Sequence, residues 1–488
     1  MKFRTDELVK AVAGRLVRGR PEAVIGPVGT DTRALEAGQA FLALRGENFD
    51  GHDFLAEAVN RGASVLVIDR EDRLAGLDSV AWATAVVLVR DTQAALADLG
   101  RAARARLRCP VIAVSGSCGK TTVKDMLGQV LGPRLKGKAP PASYNNQVGV
   151  PLTLLATEED DRFVLCEFGT NHPGEIAHLA GIARPTIGVV TLVAPVHLEG
   201  LSSIQGVARE KGALVESLGE DGVAILNADD RRVAAMARKC RGRVVTVGKN
   251  RGADLRLENL VQAEDGLRFT AQYGPVRAGG PPQGGQVLLC EAALRCEARA
   301  VAFAVPVLGE HQAVLALLAA AAAREVGVPL EASAEALRRF CPPKMRLALE
   351  RAGDVTILND AYNANPRSVR AALGLLALWP GRRKVFFCGD MRELGAASRP
   401  EHEKIGRAVR RAGVALLVCV GPESEAAARA AVAAGMKCAA VATFADAQEA
   451  ARAAAGFVES GDLVLIKGSR AIRMERIAEA IAGSFSPR

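Results

Sequence analysis

From Val111 onward, short apolar runs rich in β-branched residues recur at regular spacing, each followed by a segment of helical periodicity. VIAVSG, FVLCEFG, TIGVVTLV, GVAILNA and RVVTVG are continuously apolar rather than alternating. That predicts parallel strands buried on both faces and joined by crossover helices. Between 251 and 307 the rhythm breaks: LRFTAQY alternates, and AGGPPQGG is a loop by composition, so a β-rich extension is expected. After a helical tract at Ala313 to Glu325 and a Pro342-Pro343 break, VTILND, KVFFCGD, ALLVCVG and DLVLIKG resume the alternation. Before Val111 the pattern is mixed: helical LVKAVAG, turn-rich DTRALEAGQAF, strand-like AFLAL, the loop RGENFDGHDF and the strand SVLVID.

These elements predict an α/β chain of three domains. A small mixed α/β domain occupies 1–108, a central doubly wound parallel sheet with its β-rich extension 109–340, and a Rossmann-like domain 341–488. The last carries no G-x-G-x-x-G, so its layout alone implies no dinucleotide site.

Composition changes this picture little. With 49% hydrophobic and 24% charged residues, the chain is neither disordered nor membrane-embedded. The apolar run from Val314 to Ala323 falls short of the roughly 18 residues of a membrane span. MKFRTDELVKAV lacks the apolar core of a signal peptide, and the ten cysteines form no C-x-x-C pair, so a reducing cytoplasmic setting is expected. The net charge of +9 is scattered arginine rather than a basic tail, and three tyrosines with two tryptophans give no stacking platforms. Anionic small substrates are therefore favoured over nucleic acid.

Candidate chemistry begins at VIAVSGSCGKTT. Gly116, Ser117, Cys118, Gly119, Lys120, Thr121 and Thr122 follow a strand and open a helix. Glycines let backbone N–H groups approach phosphate, the helix N-terminus adds positive potential, Lys120 can reach β- and γ-phosphates, and Thr121 can ligate Mg²⁺. An ordinary strand-to-helix turn is the plain alternative, and lysine, threonine and context together weigh against it. Kinase, ATPase, GTPase and ligase remain open; the missing N-K-x-D favours ATP over GTP. Glu167 ends the next strand, where open α/β sheets bind ligands, and could complete a Mg²⁺ site with Thr121. Taken singly, His197 in APVHLEG reads as a structural histidine and Lys211 in SIQGVAREKGALVES as a solvated lysine.

Taken together they do not. The order GSCGKTT, SYNNQVGVPLTLL, EFGTNHPGEI, VAPVHLEG, AREKG, LNADD, GEHQ, KMRLALE, NDAYNANPRSV, GDMRELG and KGSRAIRME resembles the Mur ligases from end to end. The resemblance implies ATP-dependent amide-bond formation: a carboxylate is phosphorylated, an amine attacks the acyl phosphate, and phosphate leaves. Lys120 would then neutralise the transferring phosphate, Thr121 and Glu167 hold one Mg²⁺, and His197 ligate a second. Lys211 would react with CO₂ to a carbamate whose oxygens suit the metal. Asn145 and Asn146 would reach towards the nucleotide's phosphates, Arg346 would close on phosphate, Asp360 on ribose, and His311 would lie beside adenine.

DTR, RGENFDGHDF, DAYNANP and GDMRELG resemble the branch that adds D-alanyl-D-alanine to UDP-N-acetylmuramoyl-tripeptide in peptidoglycan synthesis. This implies a UDP-sugar region at Asp31, Thr32, Arg33, Arg45, Gly46, Asp50, Gly51 and His52. It also implies a dipeptide region at Asn363, Ala364, Asn365 and Pro366, and a monomer with neither a nucleic-acid partner nor a membrane span. Without the resemblance, DTR is only a turn and FDGHDF a loop entering a helix. Two departures stand out. The adenine-side pattern G-x-H-N-x-x-N appears with Gln312 and Leu315 in place of its asparagines, and Lys344 replaces a glycine common in relatives. The rival readings are a Mur ligase adding a single amino acid, disfavoured because D-N-P-R is absent, and a regulatory protein using the loop as an ATP or nucleic-acid switch.

Overall fold

The computed structural model describes residues 1–46, 48–74, 84–141, 143–273 and 300–485; the AGGPPQGG loop lies outside them. The first region contributes β1 (Phe3–Arg4), β2 (Arg15–Arg18), β3 (Val24–Ile25), β4 (Val28–Gly29), β5 (Ala40–Leu42), β6 (Val65–Ile68) and β7 (Ala85–Leu88). β1 pairs with β3, and the others form a sheet of order β2-β7-β6-β5-β4. β4 to β7 run parallel, with β2 antiparallel at the edge. AFL and VLVI are wholly buried, as uninterrupted apolar strands require.

The helix Thr92–Arg106 bridges to the next region, packing on the helices Gly149–Leu155 and Glu175–Ala183. Gly100 permits the approach, since a Cβ there would lie 3.0 Å from Pro151 Cβ. One apolar cluster consequently runs from Leu8, Leu96 and Leu99 to Val150, Leu154 and Ile182. The first and central regions share a core.

The central sheet comprises β8 (Val111–Ser115), β9 (Val164–Glu167), β10 (Ile187–Val190), β11 (Val223–Asn227), β12 (Arg243–Gly248), β13 (Leu255–Ala263), β14 (Gly266–Tyr273) and β15 (Val301–Val305). Its order is β15-β14-β13-β12-β11-β10-β8-β9, with β14 and β15 antiparallel, which is the expected β-rich extension. β9 and β10 flank β8 on opposite sides, so the turn after β8 sits at a topological switch point, where such sheets bind ligands. The helix His311–Glu325 is buried from Gln312 to Ala323 and lies against the helix Lys120–Leu131.

The third sheet comprises β16 (Ala348–Ala352), β17 (Val355–Asp360), β18 (Lys384–Gly389), β19 (Leu416–Val420), β20 (Val441–Phe444) and β21 (Leu463–Lys467), in the order β16-β17-β21-β18-β19-β20. Only β16 is antiparallel, and separate apolar layers cover the two faces. The expected α/β architecture is therefore the one the chain adopts, with β16 and β20 added. Among the described residues, no helix is long and apolar enough to cross a membrane.

Candidate active site between the two large sheets

The strand-end loops of the central and third sheets meet around a cavity of about 1460 Å³. Ser117 to Thr122, Asn145, Asn146, Glu167, His197 and His311 line it from the central side, and Arg346, Asp360, Asn363 and Asn365 from the third.

β8 stops at Ser115, and Gly116 turns the chain at φ +141°, where a Cβ would lie 1.9 Å from Thr191 Oγ1. Gly119 follows at φ +82° and opens the helix Lys120–Leu131 with no side-chain cap. That N-terminus is consequently available to an anion. Lys120 Nζ donates to Gly116 O at 2.8 Å, and Thr121 Oγ1 accepts from Arg346 Nη2 at 3.0 Å.

Glu167 is almost fully buried; Oε1 accepts from Asn145 Nδ2 at 3.0 Å, while Oε2 has no partner among the described residues. An unpaired buried carboxylate oxygen is costly, and it is the donor a hard divalent cation takes. Among the described residues, no three His, Cys, Asp or Glu side chains converge as a ready-made metal cluster. A cation here would draw its remaining ligands from phosphate, water and the Thr121 hydroxyl. Asn146 has a different task, since its Oδ1 accepts from Val148 N and Gly149 N and starts the helix Gly149–Leu155.

His197 adopts φ +52°, and its Nδ1 bonds the carboxylate of Glu393, in the loop after β18, while Leu198 N donates to Glu393 O at 3.0 Å. Lys211 lies behind the cavity wall with none of its surface exposed. Burial, and after it the nearby Lys120, holds its amine well below the usual lysine range. Its neighbour Glu210 is committed elsewhere, accepting from Gly174 N at 2.8 Å and Ile176 N at 2.7 Å.

His311 is accessible from the cavity, yet its enclosure by protein and the cations Lys467 and Arg367 bring its pKa down to about 4. Leu315 packs on the phosphate loop: a Cβ on Gly119 would lie 2.7 Å from Leu315 Cδ1. Gln312 is buried with its Oε1 unpartnered among the described residues.

Arg346 sits between two left-handed residues, Met345 (φ +62°) and Leu347 (φ +53°), and stacks 3.9 Å over the Tyr362 ring. Lys344 is not left-handed, so no glycine is needed there. Asp360 accepts from Leu347 N at 3.2 Å and pairs with buried Lys467, and its own burial raises its pKa. Lys467 also donates to Asn363 O at 2.9 Å. Asn365 Nδ2 reaches Cys118 Sγ at 2.9 Å, whereas Ala364 and Pro366 are buried and are not part of the cavity wall.

The first-region candidates form a separate polar surface and are not part of the cavity wall. Asp31 caps its own turn through Arg33 N at 3.0 Å and pairs with the Arg33 guanidinium at 2.7 Å, and Thr32 is buried. Gly46 N donates to Phe49 O, and Gly51 lies so close to Leu44 that a Cβ would come within 2.8 Å of its backbone. His52 Nδ1 meets Asp50 Oδ1 at 2.6 Å, its Nε2 accepts from Asp69 N at 3.3 Å, and Arg45 pairs with Asp69 at 3.1 Å.

Residue reading alone missed Asp69, Ser143, Glu210, Glu393 and Lys467. SYNNQVGVPLTLL, AREKG, GDMRELG and KGSRAIRME contain four of them, but nothing local signals their partners.

Three family models match in chain order: "Mur ligase family, catalytic domain" over residues 24–104, "Mur ligase middle domain" over 114–323 and "Mur ligase, glutamate ligase domain" over 345–470. A Bacillus subtilis (strain 168) protein named UDP-N-acetylmuramoyl-tripeptide–D-alanyl-D-alanine ligase is 31% identical over 487 residues, covering 99% of each chain. The chain belongs to the Mur ligase family. Another relative of this Mur ligase, with the same name and from Escherichia coli (strain K12), is 34% identical over 83% of each chain. Among solved structures, MurF from Acinetobacter baumannii superposes with a TM-score of 0.84 at 28% identity, over 99% of each chain. The MurF ligase from Thermotoga maritima in complex with ADP gives 0.77 at 24% identity, over 94% of this Mur ligase and 97% of that chain. At that identity it speaks for the fold alone.

Proposed function

We propose that this Mur ligase joins D-alanyl-D-alanine to UDP-N-acetylmuramoyl-tripeptide in the cytoplasm, hydrolysing ATP to ADP and phosphate, and so makes the pentapeptide precursor of peptidoglycan. The observation that carries the chemistry is the cavity in which an uncapped phosphate loop faces the unpaired Glu167 oxygen and the third sheet's Arg346. Joining a carboxylate to an amine through an acyl phosphate needs charge neutralisation, alignment and exclusion of water more than a protein nucleophile.

The residues divide that work. Lys120 leaves Gly116 O for the transferring phosphate, and the loop's backbone N–H groups hold the β-phosphate. Arg346 neutralises charge from the opposite wall, with Asp360 and His311 on the ribose and adenine side. Thr121, Glu167 and His197 are the residues that would hold Mg²⁺, which supplies Lewis-acid neutralisation of the phosphates when bound. Lys211 fits a carbamate, because an uncharged buried amine is the form that adds CO₂ and a carbamate offers oxygens where an ammonium would repel metal. Asn363 and Asn365 orient the dipeptide; the cluster from Asp31 to His52 takes the UDP-sugar.

Phosphate release with the nucleotide tripeptide, ATP and D-Ala-D-Ala tests this reading. Strong turnover with single amino acids but none with the dipeptide would point to a sister ligase instead. Lys211→Ala is expected to lose all but about 1% of activity and to regain part of it with short-chain carboxylates. Near-normal turnover in the alanine variant would remove the carbamate role.

A further inference from the structure

Four side chains close a ring across the cleft. Tyr362 OH donates to Ser143 Oγ at 3.0 Å, and Ser143 Oγ lies 3.3 Å from Thr121 Oγ1. Thr121 Oγ1 accepts from Arg346 Nη2 at 3.0 Å, and the guanidinium returns to the start by stacking 3.9 Å above the Tyr362 ring. Ser143 and Thr121 belong to the central domain, the latter in the first turn of the helix Lys120–Leu131, and Arg346 and Tyr362 to the third.

The backbone on each side fixes the ring. Tyr362 N donates to Met345 O at 3.1 Å, which holds the phenol beside the arginine it stacks on. The left-handed residues flanking Arg346 persist because this bond and the Leu347–Asp360 bond over-determine the turn. Opposite, Asn145 N donates to Ser143 O at 2.9 Å, and the same asparagine reaches Glu167. Ser143 therefore moves with the carboxylate loop.

We infer that Tyr362 is a positioning residue for the ligation, acting through Arg346: its ring fixes the guanidinium, and its hydroxyl, through Ser143, clasps the third domain to the phosphate loop. The inference rests on the ligase reading above. Arginine is long and rotamer-rich, so an unsupported guanidinium would have to be ordered at each turnover. An aromatic face removes that cost, and of the aromatic side chains only tyrosine supplies both the face and a hydroxyl at its tip.

Kinetics and solution scattering of the full chain test this. Tyr362→Leu is expected to lower kcat about tenfold, the scale of a desolvated cation–π contact, with the KM for D-Ala-D-Ala unchanged. Tyr362→Phe keeps the ring and should lose only about threefold, the scale of one hydrogen bond. In an Arg346→Ala background, Tyr362→Leu should cost no more than the roughly threefold of the lost hydroxyl, because the ring acts through the arginine. Small-angle scattering of the free protein should show a larger radius of gyration for Tyr362→Phe and for Ser143→Ala.

Equal losses in both backgrounds, or wild-type kcat in a folded Tyr362→Leu protein, would overturn the positioning role. Unchanged scattering would overturn the clasp. A wild-type chain that fails to ligate the dipeptide would defeat the ligase reading instead, while scattering would still judge the clasp.

Discussion

The crossover helices that follow β8 and β17 begin at equivalent strand ends and are finished in opposite ways. The helix Lys120–Leu131 starts behind left-handed Gly119 with no side-chain cap. The helix Pro366–Leu375 starts behind Asn365, whose Oδ1 takes Ser368 N at 3.0 Å while Ser368 Oγ takes Asn365 N at 3.1 Å, with proline at the first position. The first N-terminus is open to an anion, and the second is satisfied by its own side chains. The nearby lysines differ in the same sense. Lys120 holds only a loop carbonyl, whereas Lys467 is committed to Asp360 and Asn363. Two sheets of like layout thus acquire different chemistry from their caps, not from their topology.

The largest effect should come from removing the charge of Lys120. Lys120→Ala is expected to cost about 10²–10³ in kcat, the scale of losing one pre-placed electrostatic partner, with thermal stability nearly unchanged. A variant that melts early, or one that ligates at more than a tenth of the wild-type rate, would contradict the contrast. On the capped helix the balance reverses. Asn365→Ala should cost about 1 kcal/mol of stability in denaturant titration. Asn365→Asp, which keeps the cap but loses the Nδ2 contact to Cys118, should recover most of it.

How much of this was legible in sequence depends on how far the cause lies along the chain. Strands buried on both faces announce themselves as unbroken apolar runs, so β8 to β11, β17 to β19 and β21 could be read directly, whereas β12, expected to be buried on both faces, leaves Arg243, Val244 and Thr246 only partly covered or exposed. β16 could not: ALERA consists of helix formers and becomes a strand only by pairing with β17. The glycine turn that opens the helix Lys120–Leu131 is a local motif and was visible, as was the carboxylate ending β9. Lys211 taken singly was not, because one lysine on a helix reads as solvated; only its place in the ordered run of motifs singled it out, and the fold shows it wholly buried. The partners that set the cavity's charges are distant. Asp360 and Lys467 are 107 positions apart, and His197 and Glu393 are 196 apart. Leu315 looked like a lost hydrogen-bonding position and proves to be a packing contact on Gly119.

A third helix N-terminus opens on the same cavity and sharpens the contrast with the smallest effect. The helix His311–Glu325 also lacks a side-chain cap, and its first residue is the histidine whose pKa falls to about 4. Enclosure is the main cause, Lys467 and Arg367 add to it, and the positive end of the helix opposes a charged imidazole in the same direction. The ring is therefore neutral near pH 7 and adds no charge to this open N-terminus, unlike Lys120 at the other. A histidine with a folded pKa below its unfolded value of about 6.5 binds fewer protons folded than unfolded. The stability it confers is complete above about pH 6.5 and drains away as pH falls towards 4. In paired melts of wild type and His311→Gln, the wild type should lose ground to the variant between pH 6.5 and 4, with a constant difference above pH 7. If the variant loses ground instead, the imidazole is charged in the folded protein, and this N-terminus belongs with the phosphate loop rather than apart from it.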